Sequence, residues 1–309
     1  MSTSPYQTSP EQTAIAIGYR NTSLIGDRVM PRVPVRKKNF EYNVFDKADG
    51  FSVPSTLVGR KSQPNMVEFG SRKVAAACQD YGLLDIIPVD DEAEAARDNL
   101  GSLVNRSTEK LTALIHLDRE VRVAGLAFDP ANYDNTVSAK AAEKFDSADY
   151  NPLPQIEDYL RTPLKRPNVA VFGQAAWSKF RTNPYVVKAA HGNSGDAGLA
   201  SREAVRQMLE VEELLVGDSF VNVAKPGRTT QFARTWGPHV AFLYRGQMFQ
   251  GEDEALTWGF TGQFGDWVAG RREVPTGLRG GTEVRVGETV AEVVAARGAG
   301  FLLQDVISA

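Results

Sequence analysis

Residues 90–128 read DDEAEAARDNLGSLVNRSTEKLTALIHLDREVRVAGLAF, and the spacing of their apolar side chains decides how the rest of the chain is arranged. Leu100, Leu103, Val104, Leu111, Leu114, Ile115, Val121, Gly125 and Phe128 step by three and four, which puts them on one stripe of an α-helix. Pro88 closes the preceding segment. Asp90, Asp91, Glu92 and Glu94 supply the negative charge that a helix N-terminus favours, and Asp129-Pro130 stops the helix. One helix of this length would run roughly 55 to 60 Å, about twice what a compact domain uses, and so predicts a strut. Gly101, Asn105, Ser107 and Asp118 interrupt a heptad seam and argue against a coiled-coil arm; a break near Gly101 is the other reading.

Composition bounds what such a strut can belong to. A chain of 309 residues with 42% hydrophobic and 24% charged side chains is globular material with room for two lobes. Thirty-five basic residues are scattered among 38 acidic ones, for a net charge of -3, which speaks against a nucleic-acid reader held by counterion release. The single cysteine, Cys78, excludes an internal disulfide and a multi-cysteine metal site. MSTSPYQTSPEQT has neither the basic start nor the apolar core of a leader, and no apolar run reaches membrane-spanning length. Synthesis and assembly in the cytosol are expected.

Upstream of the strut, residues 1–13 are rich in Ser, Thr, Pro and Gln and are expected to stay mobile until a partner holds them. Residues 15–25 suit a short helix, and VMPRVPVRKK at 29–38 must be extended, because its prolines forbid helix. Two strand-like runs follow, 39–46 and 66–77, separated by a Gly, Pro, Ser and basic segment. They predict a long hairpin with an elaborate tip. A two-stranded hairpin is marginal alone, so Phe51, Val53, Leu57, Val58 and Met66 need a surface to cover, in the same chain or on a neighbour.

Downstream, a second lobe is expected from residue 151, with a helix over 154–162, a strand buried on both sides at NVAVFG (168–173), helices at 174–181 and after Ser201, and further strands. From 255 to 309 the pattern is short strands with Gly turns, LTWGFTGQFG, TEVRVG, TVAEVVAA and GFLLQDVIS, expected to return to the flank of the strut. The fold class is therefore α+β, with one lobe assembled from discontinuous segments.

No cluster reads as a strong active centre. His191, Ser194 and Asp196 are the residue types of a hydrolytic triad, but triad members normally come from separate elements, and crowding in the Gly-rich loop HGNSGDAG favours turn chemistry. The same loop lacks the Lys-Ser/Thr ending of a phosphate cradle. His116, His191 and His239 have no metal-ligand spacing, so no metal or cofactor is expected. Trp177, Trp236, Trp258 and Trp267 are read as core rather than a stacking platform. An arm, a hairpin, a strut and two lobes point to a protein whose function lies in its contacts.

That order of parts resembles the major capsid proteins of tailed bacteriophages, the HK-ninety-seven-type fold. The phrases carrying the resemblance are AIAIGYRNTSLIGDRVMPRVPV in the arm, LIHLDREVRVAGLAFDPANY at the end of the strut, RPNVAVFGQAAWSKFRTNPYVVKAAHGNSGDAG in the second lobe, and GLRGGTEVRVGETVAEVVAARGAGFLLQDVI near the C-terminus. The resemblance implies an N-terminal arm over 1–39, an extended loop over 40–78, a peripheral domain with a spine helix over 79–150 and 255–309, and an axial domain over 151–254. It implies hexamers and pentamers closing an icosahedral shell around packaged double-stranded DNA, with a portal and, in some members, a decoration protein.

The short segment before the hairpin makes a separate scaffolding protein, or none, the expectation. Some members join neighbours by a Lys to Asn isopeptide bond. Lys47, Lys61 and Lys73 lie in the hairpin, yet no Asn follows Asn222, so a noncovalent shell is expected. Expected intersubunit contacts are Phe51, Val53, Leu57, Arg60, Lys61 and Met66 in the loop, His191 and Asp196 in the axial domain, and Arg271, Arg272 and Arg279 near the C-terminus. An encapsulin-like shell housing a cargo enzyme shares the fold, and a hydrolase using His191, Ser194 and Asp196 is the alternative from another class.

Overall fold

The fold is described from a computed structural model covering residues 8–19, 21–44, 53, 55–66, 72–98, 101–192, 198–246 and 256–308. Two five-stranded sheets and two two-stranded ribbons organise these residues. The first sheet is centred on β13 (Gly281–Val294). Residues 281–287 pair with both β4 (Gln79–Pro88) and β12 (Val268–Val274), so those strands flank β13 on opposite edges. Further along, β11 (Gly259–Phe264) pairs antiparallel with β13, and β1 (Arg32–Val35) joins β11 in parallel. The proline-bearing ribbon read from the sequence is this edge strand, where the missing N–H of Pro34 is tolerated.

The strut expected over 90–128 is two helices, not one. Helix α3 (Val89–Arg97) and the 25-residue spine helix α4 (Leu103–Ala127) are separated at Gly101, whose φ of +77° is left-handed. Ser102 then caps α4, its hydroxyl accepting the N–H of Asn105 at 3.3 Å. The spine is therefore about 37 Å long. Its buried face runs Val104, Thr108, Leu111, Thr112, Ile115, Arg119, Val123 and Ala127, and is more polar than the apolar stripe suggested. The Thr108 and Thr112 hydroxyls donate to the carbonyls one turn back, at 2.9 and 2.7 Å, which satisfies them inside the core. Leu114 and Val121, expected inward, are exposed. Val104, Leu111 and Ile115 pack with Ile87, Trp267, Ala269, Val284 and Val286 of the sheet.

The arm is docked on its own chain from residue 8 onward, against the expectation of a free segment through residue 13. Thr8 bridges Gly270, the Ser9 N–H donates to the Ala269 carbonyl at 3.0 Å, and α1 (Pro10–Gly18) buries Gln12 and Ala16 against the spine and β12. The hairpin forms as read: β2 (Asn39–Val44) runs antiparallel to β3 (Arg72–Ala77), with Asn39 opposite Ala77. Phe40 and Tyr42 seat its base on the Phe260 ring, at centroid distances of 6.4 and 5.8 Å.

The second sheet has the order β5 (Thr136–Ser138), β14 (Gly300–Gln304), β10 (Val240–Leu243), β6 (Val169–Gly173), β7 (Glu213–Gly217). All five residues of β6 are buried, as the uninterrupted apolar run required. Helices α5 (Leu153–Arg161), α6 (Gln174–Phe180), α7 (Pro184–His191) and α8 (Arg202–Met208) cover it through Ile156, Leu160, Trp177, Phe180, Val186 and Val205. Strand β14 departs from expectation: it pairs with β10 here rather than returning to the spine with β11 to β13. A short ribbon, β8 (Phe220–Asn222) with β9 (Phe232–Arg234), follows β7.

Candidate assembly surfaces

Two adjacent charges sit on the buried face of the spine between Ile115 and Val123. Glu120 is 2% exposed, and its carboxylate accepts the backbone N–H of Ile25 at 3.0 Å and of Gly26 at 2.6 Å, together with the Trp236 indole N–H at 2.7 Å. A side chain at position 26 would meet the carboxylate at 2.8 Å, so glycine is what lets the arm come this close. Arg119, equally buried, donates to the Met30 carbonyl at 3.1 Å and the Thr261 hydroxyl at 2.8 Å, and is paired with Asp27. Asp27 also takes Arg32 at 2.8 Å, and Arg32 in turn is paired with Glu288 of β13.

Together these groups grip the short helix α2 (Gly26–Val29) and the residues on either side of it. Burial pushes the Glu120 carboxyl above its ordinary range despite the donors around it. Burial also pushes the Arg119 guanidinium down, and nearby Arg32 adds to that. At Asp27 burial acts upward, but Arg119 and Arg32 outweigh it and hold the carboxyl below its usual value. The clamp thus ties arm, spine, first sheet and, through Trp236, the second lobe into one packed unit. Residue-type patterns in the sequence missed it. The available signal was an Arg-Glu pair set between inward-facing Ile115 and Val123.

The expected contact residues fall at several places. Val53, Leu57 and Met66 are 93, 89 and 94% exposed, and Arg60 and Lys61 are exposed on a turn closed by the Ser62 N–H donating to the Gly59 carbonyl at 2.9 Å. Phe51, Ser194 and Asp196 lie outside the described residues. His191 ends α7, exposed, with Nε2 3.2 Å from the Leu199 carbonyl oxygen. Arg271 is exposed on β12. Arg272 donates to both oxygens of Glu283, at 3.1 and 2.9 Å, and Arg285 shares that carboxylate at 2.9 Å. Arg279 donates to Asp90 at 2.7 Å.

The described loop residues all lie exposed within 53–66, while the C-terminal arginines and His191 fall on separate elements. His116 lies between the Tyr19 and Trp267 rings, and His239 Nδ1 accepts the Asp305 N–H at 3.0 Å. Among the described residues no three His, Cys, Asp or Glu side chains are grouped to hold a metal. Trp177, Trp236 and Trp258 are core, and Trp267 nearly so.

No family model matches the chain. The major capsid protein of Pseudomonas phage JBD67 is 42% identical over 312 residues, spanning the whole of both chains. The crystal structure of a phage-related protein from Bordetella bronchiseptica superposes with a TM-score of 0.75 at 20% identity, covering 98% of this chain and 99% of that one. A capsid structure of cyanophage P-SCSP1u gives a TM-score of 0.56 at 10% identity, covering 100% and 91%. The spine, hairpin and two mixed sheets are those of the HK-ninety-seven-type capsid fold. Given that fold and an identity of 42% maintained from end to end, the chain belongs to the family of bacteriophage major capsid proteins.

Proposed function

We propose that this chain assembles as hexamers and pentamers into an icosahedral shell that encloses double-stranded phage DNA. The observation that carries the reading is the full-length likeness to a phage major capsid protein. Residues 1–39 act as the arm, 40–78 as the extended loop, 79–150 with 255–309 as the peripheral domain, and 151–254 as the axial domain, with β5 and β14 crossing into the axial sheet. The loop lies on a neighbouring subunit, a reading supported by the exposure of Val53, Leu57 and Met66. Arg60, Lys61, His191, Arg271, Arg272 and Arg279 serve contacts between subunits, and the chain carries out no catalysis.

A net charge of -3 lets packaged DNA slide along the shell without adhering. Assembly takes place in the host cytoplasm with a separate scaffolding protein and a portal, and a decoration protein can join the finished virion. Electron microscopy of the purified chain, expressed alone and with a candidate scaffold, tests the reading. Closed shells, tubes or capsomer rings are expected; uniform small oligomers under both conditions would sink it.

A further inference from the structure

The side chain of His239 stands where three segments meet: the end of the spine, the loop leading into β10, and the tail that follows β14. Phe128, the residue that caps α4, sets its ring at 81° to the imidazole with centroids 5.3 Å apart. Gly237 crowds the same ring, so closely that a Cβ there would meet imidazole Cδ2 at 3.0 Å. The loop backbone is fixed as well: the His239 carbonyl accepts the Gly173 N–H at 3.1 Å, and the Pro238 carbonyl accepts the Val306 N–H at 3.1 Å. Beyond Asp305 the tail is seated residue by residue. Val306 is buried in the axial core, the Ile307 carbonyl takes Lys144 at 3.1 Å, and the Ser308 N–H donates to Asp146 at 3.2 Å.

Across this junction Nδ1 of His239 accepts the Asp305 N–H at 3.0 Å. A backbone N–H only donates, so Nδ1 carries a lone pair and the neutral ring keeps its proton on Nε2. A proton on Nδ1 would set two N–H groups against each other. A replacement acceptor belongs to the same residue, but Asp305 Oδ1 lies 3.8 Å from Nδ1, too far for a hydrogen bond until the turn moves. Asp305 has a φ of +54°, in the left-handed region that a side chain enters only when its surroundings hold it there. The Nδ1 bond and the bond from the next N–H to Pro238 are two of the contacts that do so. We infer that His239 is a proton-operated latch on the C-terminal tail, closed while the ring is neutral and opened when Nδ1 is protonated.

Opening takes one proton from water and breaks no covalent bond. It exchanges the Asp305 N–H bond for a contact with the Asp305 carboxylate, relaxes the left-handed turn, and loosens residues 305–308 together with the spine end that packs on the ring. The tail faces the imidazole with the Asp305 carboxylate, which favours the charged ring; the spine presents the uncharged Phe128 and the loop presents Gly237. Burial outweighs that carboxylate and keeps the imidazole below its ordinary 6.5. The latch therefore contributes fully above pH 6.5 and is lost as pH falls through the lowered value. It belongs to the single chain and goes beyond the shell reading, on which it does not depend.

Hydrogen exchange on the full-length chain tests the latch, read as protection factors of the Asp305, Val306 and Ser308 amides corrected for intrinsic rates. Between about pH 8 and about pH 5, protection is expected to fall by about fivefold or more, beginning as pH drops below the ordinary 6.5. His239→Asn places an amide oxygen where Nδ1 stands and cannot titrate, so its protection is expected to stay level over the same range. Asp305→Asn removes the carboxylate that favours the charged ring, so the onset is expected to move to lower pH. Level protection in the unsubstituted chain, an equal fall in His239→Asn, or an unmoved onset in Asp305→Asn each overturns the latch. If His239→Asn fails to fold, the unsubstituted chain and Asp305→Asn decide.

Discussion

Removing the Glu120 carboxylate leaves the N–H groups of Ile25, Gly26 and Trp236 buried without an acceptor. At roughly 1 to 3 kcal/mol per orphaned donor, Glu120→Ala is expected to cost at least about 3 kcal/mol, read as a lower denaturant midpoint in chemical unfolding. Two carboxylates of the clamp, Asp27 and Glu120, respond to pH with opposite signs. Asp27 titrates below its ordinary 3.8 in the folded chain, so its contribution is complete above that value and disappears as pH falls through the depressed one. Glu120 titrates above its ordinary 4.5, so its contribution is largest in acid and declines as pH rises through the raised value. Protection factors of the amides at residues 25–30, corrected for intrinsic exchange, should therefore fall as pH drops below 3.8, and Asp27→Asn should abolish that limb. If Asp27→Asn leaves the acid response unchanged, another group controls it. Apolar periodicity does not reveal this clamp; only the placing of Arg119 and Glu120 between inward-facing Ile115 and Val123 hints at it. A charge on a helix reads as solvated, and the hydrogen-bond partners of Arg119 lie 89 to 142 residues away.

Elements were legible where a pattern is self-contained and illegible where a short run suits more than one place. The base of the hairpin, residues 39–44 against 72–77, is legible because alternation is a local signal; the remainder of the runs read as strands, save Met66, lies outside the described residues. Helical periodicity locates the spine, and of the two readings it allows, one long helix or a break near Gly101, the broken one holds. Leu114 and Val121 fell on the wrong side because the buried face follows Val104, Thr108, Leu111, Thr112, Ile115 and Arg119, and threonines and an arginine do not count as apolar. GFLLQ is a short apolar strand that either sheet could hold, and it went to the axial one. Space around Gly101 is open, so the cost of Gly101→Ala is that of a left-handed backbone alone, about 1 kcal/mol, visible in thermal unfolding. Gly217→Ala should be far worse: a Cβ there would run into the Trp236 indole in the core shared by both lobes, and the variant is expected to be largely insoluble.

At the scale of the whole molecule, one packed body carries large apolar side chains that are exposed among the described residues. The clamp and the core around Trp236 join the lobes, while Val53, Leu57 and Met66 stand exposed. With no Asn after Asn222 to receive a lysine from the loop, boiling assembled particles in detergent should release a single subunit band; a stable ladder would show covalent joining. The order of parts carries the family resemblance in the sequence, whereas the pairings that Arg272 and Arg279 make within the chain are visible only in three dimensions. The most direct measurement is a cryo-electron reconstruction of the assembled particle, asking what lies beneath residues 55–66. A closed icosahedral shell with Leu57 and Met66 seated on the adjacent subunit is predicted. A particle without such symmetry, or a loop folded back on its own chain, would contradict it.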